Sequence, residues 1–262
     1  MEAFATTLKR HHNLLVALVR PLGKQTNDAC TVETLESVMT KVYMWHYHYA
    51  RGKCRADFSM PNDLFFKTEP QDEMHAISYY ALLDRDIDQI VALNTQRVAD
   101  MFDYITTHRD ELIAELQADD AARADEVENA FASEQSLAKA LWPRLERIVA
   151  FGAGEYYEAT AHMKLFTGEI PHNNGYYYTE ETIYGRAVAD DSDLFETFPS
   201  GCFHEYLPLQ EPNADTILST DTKPGEPYQL VVTNSAGLYR YVTDHIVCIQ
   251  ETQLDKILFT IY

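Results

Sequence analysis

Asp244 follows the run LVVTNSAGLYRYVT, residues 230–243, which reads as a strand, a tight turn at NSAG and a second strand. An aspartate presented by a rigid hairpin can accept two hydrogen bonds from a vicinal diol, which is how acidic side chains bind a ribose. The same residue also suits a plain turn or cap. Thr179 and Glu180 form a second candidate pair. A hydroxyl can meet a phosphate oxygen, and a carboxylate can ligate Mg²⁺, a hard cation that binds oxygen donors together with substrate phosphates. A solvent-facing Thr-Glu pair is the alternative.

Other constellations carry less. His46 and His48 would share one face of a strand, but no third ligand follows at a metal-binding spacing, and the pair His11–His12 is no more informative. FGAGEYYE supplies Gly152 and Gly154 without the third glycine of a dinucleotide loop, and Glu155 would repel a pyrophosphate. Cys30, Cys54, Cys202 and Cys248 are widely spaced, which suits reduced, buried thiols of a cytoplasmic protein.

Composition bounds the rest. In 262 residues, 46% hydrophobic and 24% charged is the balance of a folded globular chain. A formal net charge of −20 with no local Lys/Arg cluster argues against nucleic-acid and membrane-surface partners. The apolar run in LKRHHNLLVALVR breaks at Arg20, too short for a membrane span, and no small-residue cleavage site follows it.

The elements that must position these residues follow from periodicity. Leu14, Leu15, Leu18 and Val19, then Val38, Val42 and Tyr43, suggest two amphipathic helices. Helical spacing from Ile77 through Tyr79, Tyr80, Leu82, Leu83, Ile87, Ile90 and Val91 predicts a helix with one buried face. Another is expected after Asn94 or Thr95, burying Val98, Met101, Phe102 and Ile105, and a third after a capping-box-like Thr107 and Asp110, burying Leu112, Ile113 and Leu116. The acidic, alanine-rich stretch from Asp119 to Gln135 reads as a solvated helix or connector. RIVAF, a glycine loop, a helix ending at Gly168 and a strand from Gly175 read as a parallel crossover, with Glu180 at a strand's carboxyl end. GCFHEYLPL, YQLVVT and LYRYVT read as strands. The expected class is α/β or α+β, helical in its first half and β-rich in its second.

In order along the chain, the stretch from Phe65 to Leu116, LWPRLERIVAFGAGEYYEATAHMKLF, GYYYTEE, CFHEYLP and YQLVVTNSAGLYRYVTDHI together resemble the acyl-acid amido synthetases, the auxin-responsive, auxin- and jasmonate-conjugating branch of the luciferase-like adenylate-forming ligases. The last segment is the most specific. The resemblance runs from about Phe65 to about Cys248 and implies a partial adenylate-forming domain over residues 65–250, an unassigned helical segment over 1–64 and a short tail over 251–262. It implies ATP and Mg²⁺, a small carboxylic acid activated as an acyl-adenylate, and an amine or amino acid that takes the acyl group. By the same likeness Tyr176 lies near the adenine, Thr179 contacts phosphate, Glu180 holds magnesium and Asp244 binds the ribose, while Phe151, Tyr156 and Tyr157 are acyl-pocket candidates.

The chain departs from the family pattern in four places. YRYVTD is one residue short and lacks a glycine before Asp244, and Tyr177 and Tyr178 put bulky rings where small or hydroxyl residues admit phosphate. No Ser/Thr/Gly-rich phosphate loop precedes Phe65, and the lysine-bearing lid domain of the family is not found before Tyr262. Each missing electrostatic contribution is commonly worth about 3 kcal/mol, so the expectation is a truncated ligase, weak or inactive alone. The alternatives are a non-catalytic nucleotide- or acyl-binding module, or one half of a split enzyme completed by another polypeptide.

Overall fold

A computed structural model describes residues 12–15, 24–26, 31–33, 57–61, 72–179, 183–198, 202–210, 214–235, 237–253 and 256–262. The chain divides into two compact units, one comprising Met1–Ala150 with Glu158–Pro171 and the other Phe151–Tyr157 with His172–Tyr262.

In the first unit, β1 (His12–Leu15) stands where Leu14 and Leu15 suggested a helix; the second expected helix, at Val38 to Tyr43, lies outside the described residues. β2 (Lys24–Thr26) and β3 (Thr31–Glu33) pair antiparallel by themselves. β4 (Asp57–Phe58) and β5 (Gln89–Asn94) flank β1, both parallel to it, and β6 (Arg147–Phe151) follows β5 in the sheet. Pairing β1 between strands far away in sequence overrides its local helical spacing, because the strand's hydrogen bonds come from partners that periodicity cannot see.

Helix α1 (Glu73–Leu83) is shorter than its apolar spacing implied. Asp84 caps it in extended conformation and accepts the Asp86 amide at 2.9 Å, turning the chain into β5. Gln89, Ile90, Val91 and Ala92 are all buried, the continuous pattern of a strand covered on both faces. α2 (Thr95–Thr107) starts as expected, with the Asn94 side chain accepting the Arg97 amide at 3.1 Å, and it buries Val98, Met101, Phe102 and Ile105. Thr107 ends α2 instead of capping the next helix; α3 (Arg109–Asp119) begins at His108 with no side-chain cap and buries Leu112 and Leu116.

α4 (Ala121–Phe131), capped by Asp120, is less solvated than its composition implied: Arg123, Ala124, Val127 and Ala130 are buried. Arg123 donates to the Leu82 and Leu141 carbonyls and pairs with Glu126 at 3.0 Å. After α5 (Leu137–Leu141), Trp142 is fully buried and its indole donates to the Ala81 and Asp84 carbonyls, at 2.9 and 3.1 Å, closing the end of α1. α6 (Tyr157–Thr167) ends at Gly168, whose φ of +59° is the left-handed terminator the sequence promised.

The second unit holds β7 (His172–Asn173) and a seven-stranded sheet. The sheet contains β8 (Tyr176–Tyr178), β9 (Ile183–Ala187), β10 (Phe195–Thr197), β11 (Cys202–Pro208), β12 (Pro227–Asn234), β13 (Tyr241–Thr252) and β14 (Ile257–Ile261). Their order is β11-β12-β13-β14-β10-β9-β8, antiparallel throughout. β8 is therefore not the return strand of a crossover from β6, since it belongs to a different sheet. The core of this unit is aromatic: Tyr177, Tyr184, Phe195, Tyr206, Tyr228 and Phe259 are all buried.

Candidate functional site

β13 is twelve residues long, and Asp244 is its fourth, so it sits within the strand and not beyond it. Alternation sends Asp244 to solvent, while Thr243 and Val247 are buried and His245 is half-buried on the opposite face. A shift of register between Gln229 and Val231 of β12 marks this point, where the Gln229 amide donates to the Thr243 carbonyl at 2.6 Å and Thr243 Oγ1 to the Leu230 carbonyl at 3.0 Å. The hairpin tip is longer than NSAG alone: Gly237 has φ +111° and Arg240 φ +46°, so LYR belongs to the turn.

β8 carries the second candidate group. Tyr176 is half-buried, edge-on to Tyr178 and Phe198 with centroids 6.1 and 5.7 Å apart, and burial raises its hydroxyl pKa. Thr179 is buried just past the strand, and Glu180 lies outside the described residues. Tyr177, whose bulk suggested a narrowed phosphate site, turns inward. Its ring is buried in the core and its hydroxyl meets His245 Nδ1 at 2.7 Å. That bond joins GYYYTEE, the second of the nucleotide motifs the resemblance implies, to YQLVVTNSAGLYRYVTDHI, the third, from β8 to β13.

Phe151 stacks on Tyr177 at 5.6 Å and meets Tyr156 edge-on at 5.9 Å, so it packs on the aromatic core. Tyr157 is exposed, and its pKa is raised by partial burial and by Asp193. A cavity of about 710 Å³ in the first unit is lined by Arg85, Arg123, Glu126, Lys139 and Arg144 among others, and by none of the expected site residues.

Sequence reasoning passed over the polar groups inside the aromatic core. Tyr184 and Tyr206 share a buried hydroxyl contact at 2.9 Å, and burial pushes Tyr206 up to about 12. His204 lies edge-on to Tyr184 at 4.9 Å, and its Nε2 has no hydrogen-bond partner among the described residues; burial lowers it to about 4. The spacing of His204 and Tyr206, two apart on one strand, was the available signal.

Residues 195–257, from the start of β10 to the start of β14, match the model of the GH3 family central domain. By that match the chain is similar to the GH3 family in its central portion. It is similar to a probable indole-3-acetic acid-amido synthetase of Oryza sativa subsp. japonica, 33% identical over 145 residues, covering 51% of this chain and 24% of the relative. A 4-substituted benzoates-glutamate ligase of Arabidopsis thaliana is 27% identical over 120 residues, covering 44% and 21%. The chain thus spans about a quarter of the length of the curated relatives it matches. Among solved structures, the GH3.15 acyl acid amido synthetase superposes with a TM-score of 0.80 at 16% identity, over 97% of this chain and 49% of that one. The chain therefore has the mixed α/β fold of that synthetase, as its ordered motifs implied. Among the described residues no helix is long and apolar enough to cross a membrane.

Proposed function

We propose that this chain contributes the central part of an ATP-dependent acyl-acid amido synthetase, which adenylates a small carboxylic acid and passes the acyl group to an amine or amino acid. One observation carries the reading: the family match takes in all of β13, and β13 holds Asp244 exposed beside a register shift. An exposed carboxylate on a hydrogen-bonded strand suits a ribose diol, needing no rearrangement to accept two hydrogen bonds.

The residues fit the nucleotide as follows. Asp244 would take the ribose, half-buried Tyr176 would lie against the adenine, and Thr179 would offer its hydroxyl to phosphate. Glu180 is the magnesium carboxylate of the proposal, the ion serving to neutralise phosphate charge when bound. Phe151, Tyr156 and Tyr157 are proposed for the acyl acid, and residues 65–250 remain the proposed extent of the adenylate-forming domain. A cytoplasmic location accords with two free thiols, Cys202 and Cys248.

The test is calorimetric titration of the chain with ATP and Mg²⁺, in parallel with Asp244→Ala, followed by an assay for pyrophosphate release with candidate acids. Saturable binding that Asp244→Ala weakens about tenfold or more supports the site. Binding without pyrophosphate release would assign the chain to nucleotide binding alone, or to one half of an enzyme completed by another polypeptide. Wild-type and Asp244→Ala proteins that bind ATP equally, or not at all, would remove Asp244 from the proposal.

A further inference from the structure

Away from the nucleotide residues, in the first unit, three side chains with metal-ligating chemistry come together. His75 is on the first turn of α1, and Glu111 and Glu115 are one turn apart on α3. Their ligand atoms all lie within 4.8 Å of one another, and among the described residues no other group of three His, Cys, Asp or Glu side chains does this. His75 Nε2 is 3.1 Å from Glu115 Oε2. Two ligands bound at about 2.1 Å to one tetrahedral ion stand roughly 3.4 Å apart, so this pair is already near coordination spacing. Glu111 is exposed, and its carboxylate lies within 4.8 Å of the other two ligand atoms.

The support is rigid. Ile77 on α1 and Leu112 and Leu116 on α3 are fully buried, so both helices that carry the cluster are fixed by the packing of their other faces. The other imidazole nitrogen, His75 Nδ1, meets the Tyr104 hydroxyl of α2 at 3.2 Å, and the two rings lie edge-on at 6.1 Å. A ring nitrogen held in this way is the usual means of aiming a ligating histidine.

The local field is negative and uncompensated. Among the described residues no Lys or Arg pairs with Glu111 or Glu115. A divalent ion at the cluster would relieve this repulsion.

We propose that His75, Glu111 and Glu115 bind one divalent first-row transition ion of the zinc class where α1 and α3 meet, with Tyr104 orienting the imidazole. One imidazole and two carboxylates favour such an ion over magnesium, and a fourth position stays open for water. The site is separate in chemistry from the magnesium of the proposed reaction and does not depend on that reading.

The experiment is calorimetric titration of the chelator-stripped full chain with ZnCl₂, for the wild type, His75→Ala, Glu111→Gln and Tyr104→Phe. The expected result is one equivalent of Zn²⁺ per chain, weakened about tenfold or more by His75→Ala and by Glu111→Gln and less by Tyr104→Phe, with millimolar Mg²⁺ unable to compete. Glu111→Gln alters an exposed side chain, so an unchanged melting temperature without metal will show that its effect is on binding. Absence of saturable binding, or a wild-type affinity in both His75→Ala and Glu111→Gln, would overturn the proposal and leave His75 and Glu115 an ordinary polar contact.

Discussion

Arg240, at the tip of the β12–β13 hairpin, places its Nε 3.1 Å from Glu205 Oε2 of β11, joining the hairpin to CFHEYLP across 35 residues. Its Nη2 donates to Thr216 Oγ1 at 2.6 Å, and Thr216 in turn donates to Glu205. The arginine holds this network with φ at +46°, a conformation that costs a side chain about 1 kcal/mol or more. Arg240→Ala and Arg240→Gly both remove the guanidinium, but only glycine relieves the backbone. Arg240→Ala is expected to be less stable than Arg240→Gly by about 1 kcal/mol, read from urea midpoints; equal midpoints would mean the turn relaxes.

His204 sets a pH dependence. Burial depresses it from 6.5 to about 4, so between those values the unfolded chain takes up a proton and the folded chain does not. Its contribution is fully present above about pH 6.5 and is lost as pH falls towards 4, by an amount on the order of 3 kcal/mol. In thermal melts from pH 7.5 to 4, wild type should lose more stability than His204→Phe as pH falls below about 6.5, whichever of the two melts higher at pH 7.5. Parallel curves would show that His204 titrates alike in both states.

Gly185 is required by packing. A Cβ built there would stand 2.4 Å from Phe259 Cζ and 2.9 Å from its Cε1, and Phe259 is fully buried. Gly185→Ala should destabilise by about 1–3 kcal/mol, and Phe259→Leu in the same chain should recover part of that loss. Chemical denaturation of the two single variants and the pair measures it.

The Tyr177–His245 bond ties the second motif to the third, so a double-mutant cycle with Tyr177→Phe and His245→Ala should return a coupling of about 1 kcal/mol. The same variants report on the proposed site, because loosening β13 displaces Asp244. ATP binding, where it is found, should weaken in Tyr177→Phe although the lost hydroxyl faces the core.

By itself the sequence determined the local elements whose signals are local, and its ordered motifs pointed to the likeness that the family match supports. Asn94 capped α2, Gly168 ended α6, and the apolar face of α2 was read correctly, as were Leu112 and Leu116 of α3 though not the half-buried Ile113, since capping and helical periodicity depend on neighbours a few residues away. Tertiary structure alone decided that His12–Leu15 and Gln89–Asn94 are strands, because their hydrogen-bond partners come from distant segments. It also decided that Tyr177 turns inward to His245, that Asp244 faces solvent within β13, and that His75 meets Glu111 and Glu115. Residues 29 to 68 positions apart cannot be paired by composition or period; only the packing of helices and strands brings such side chains within bonding distance.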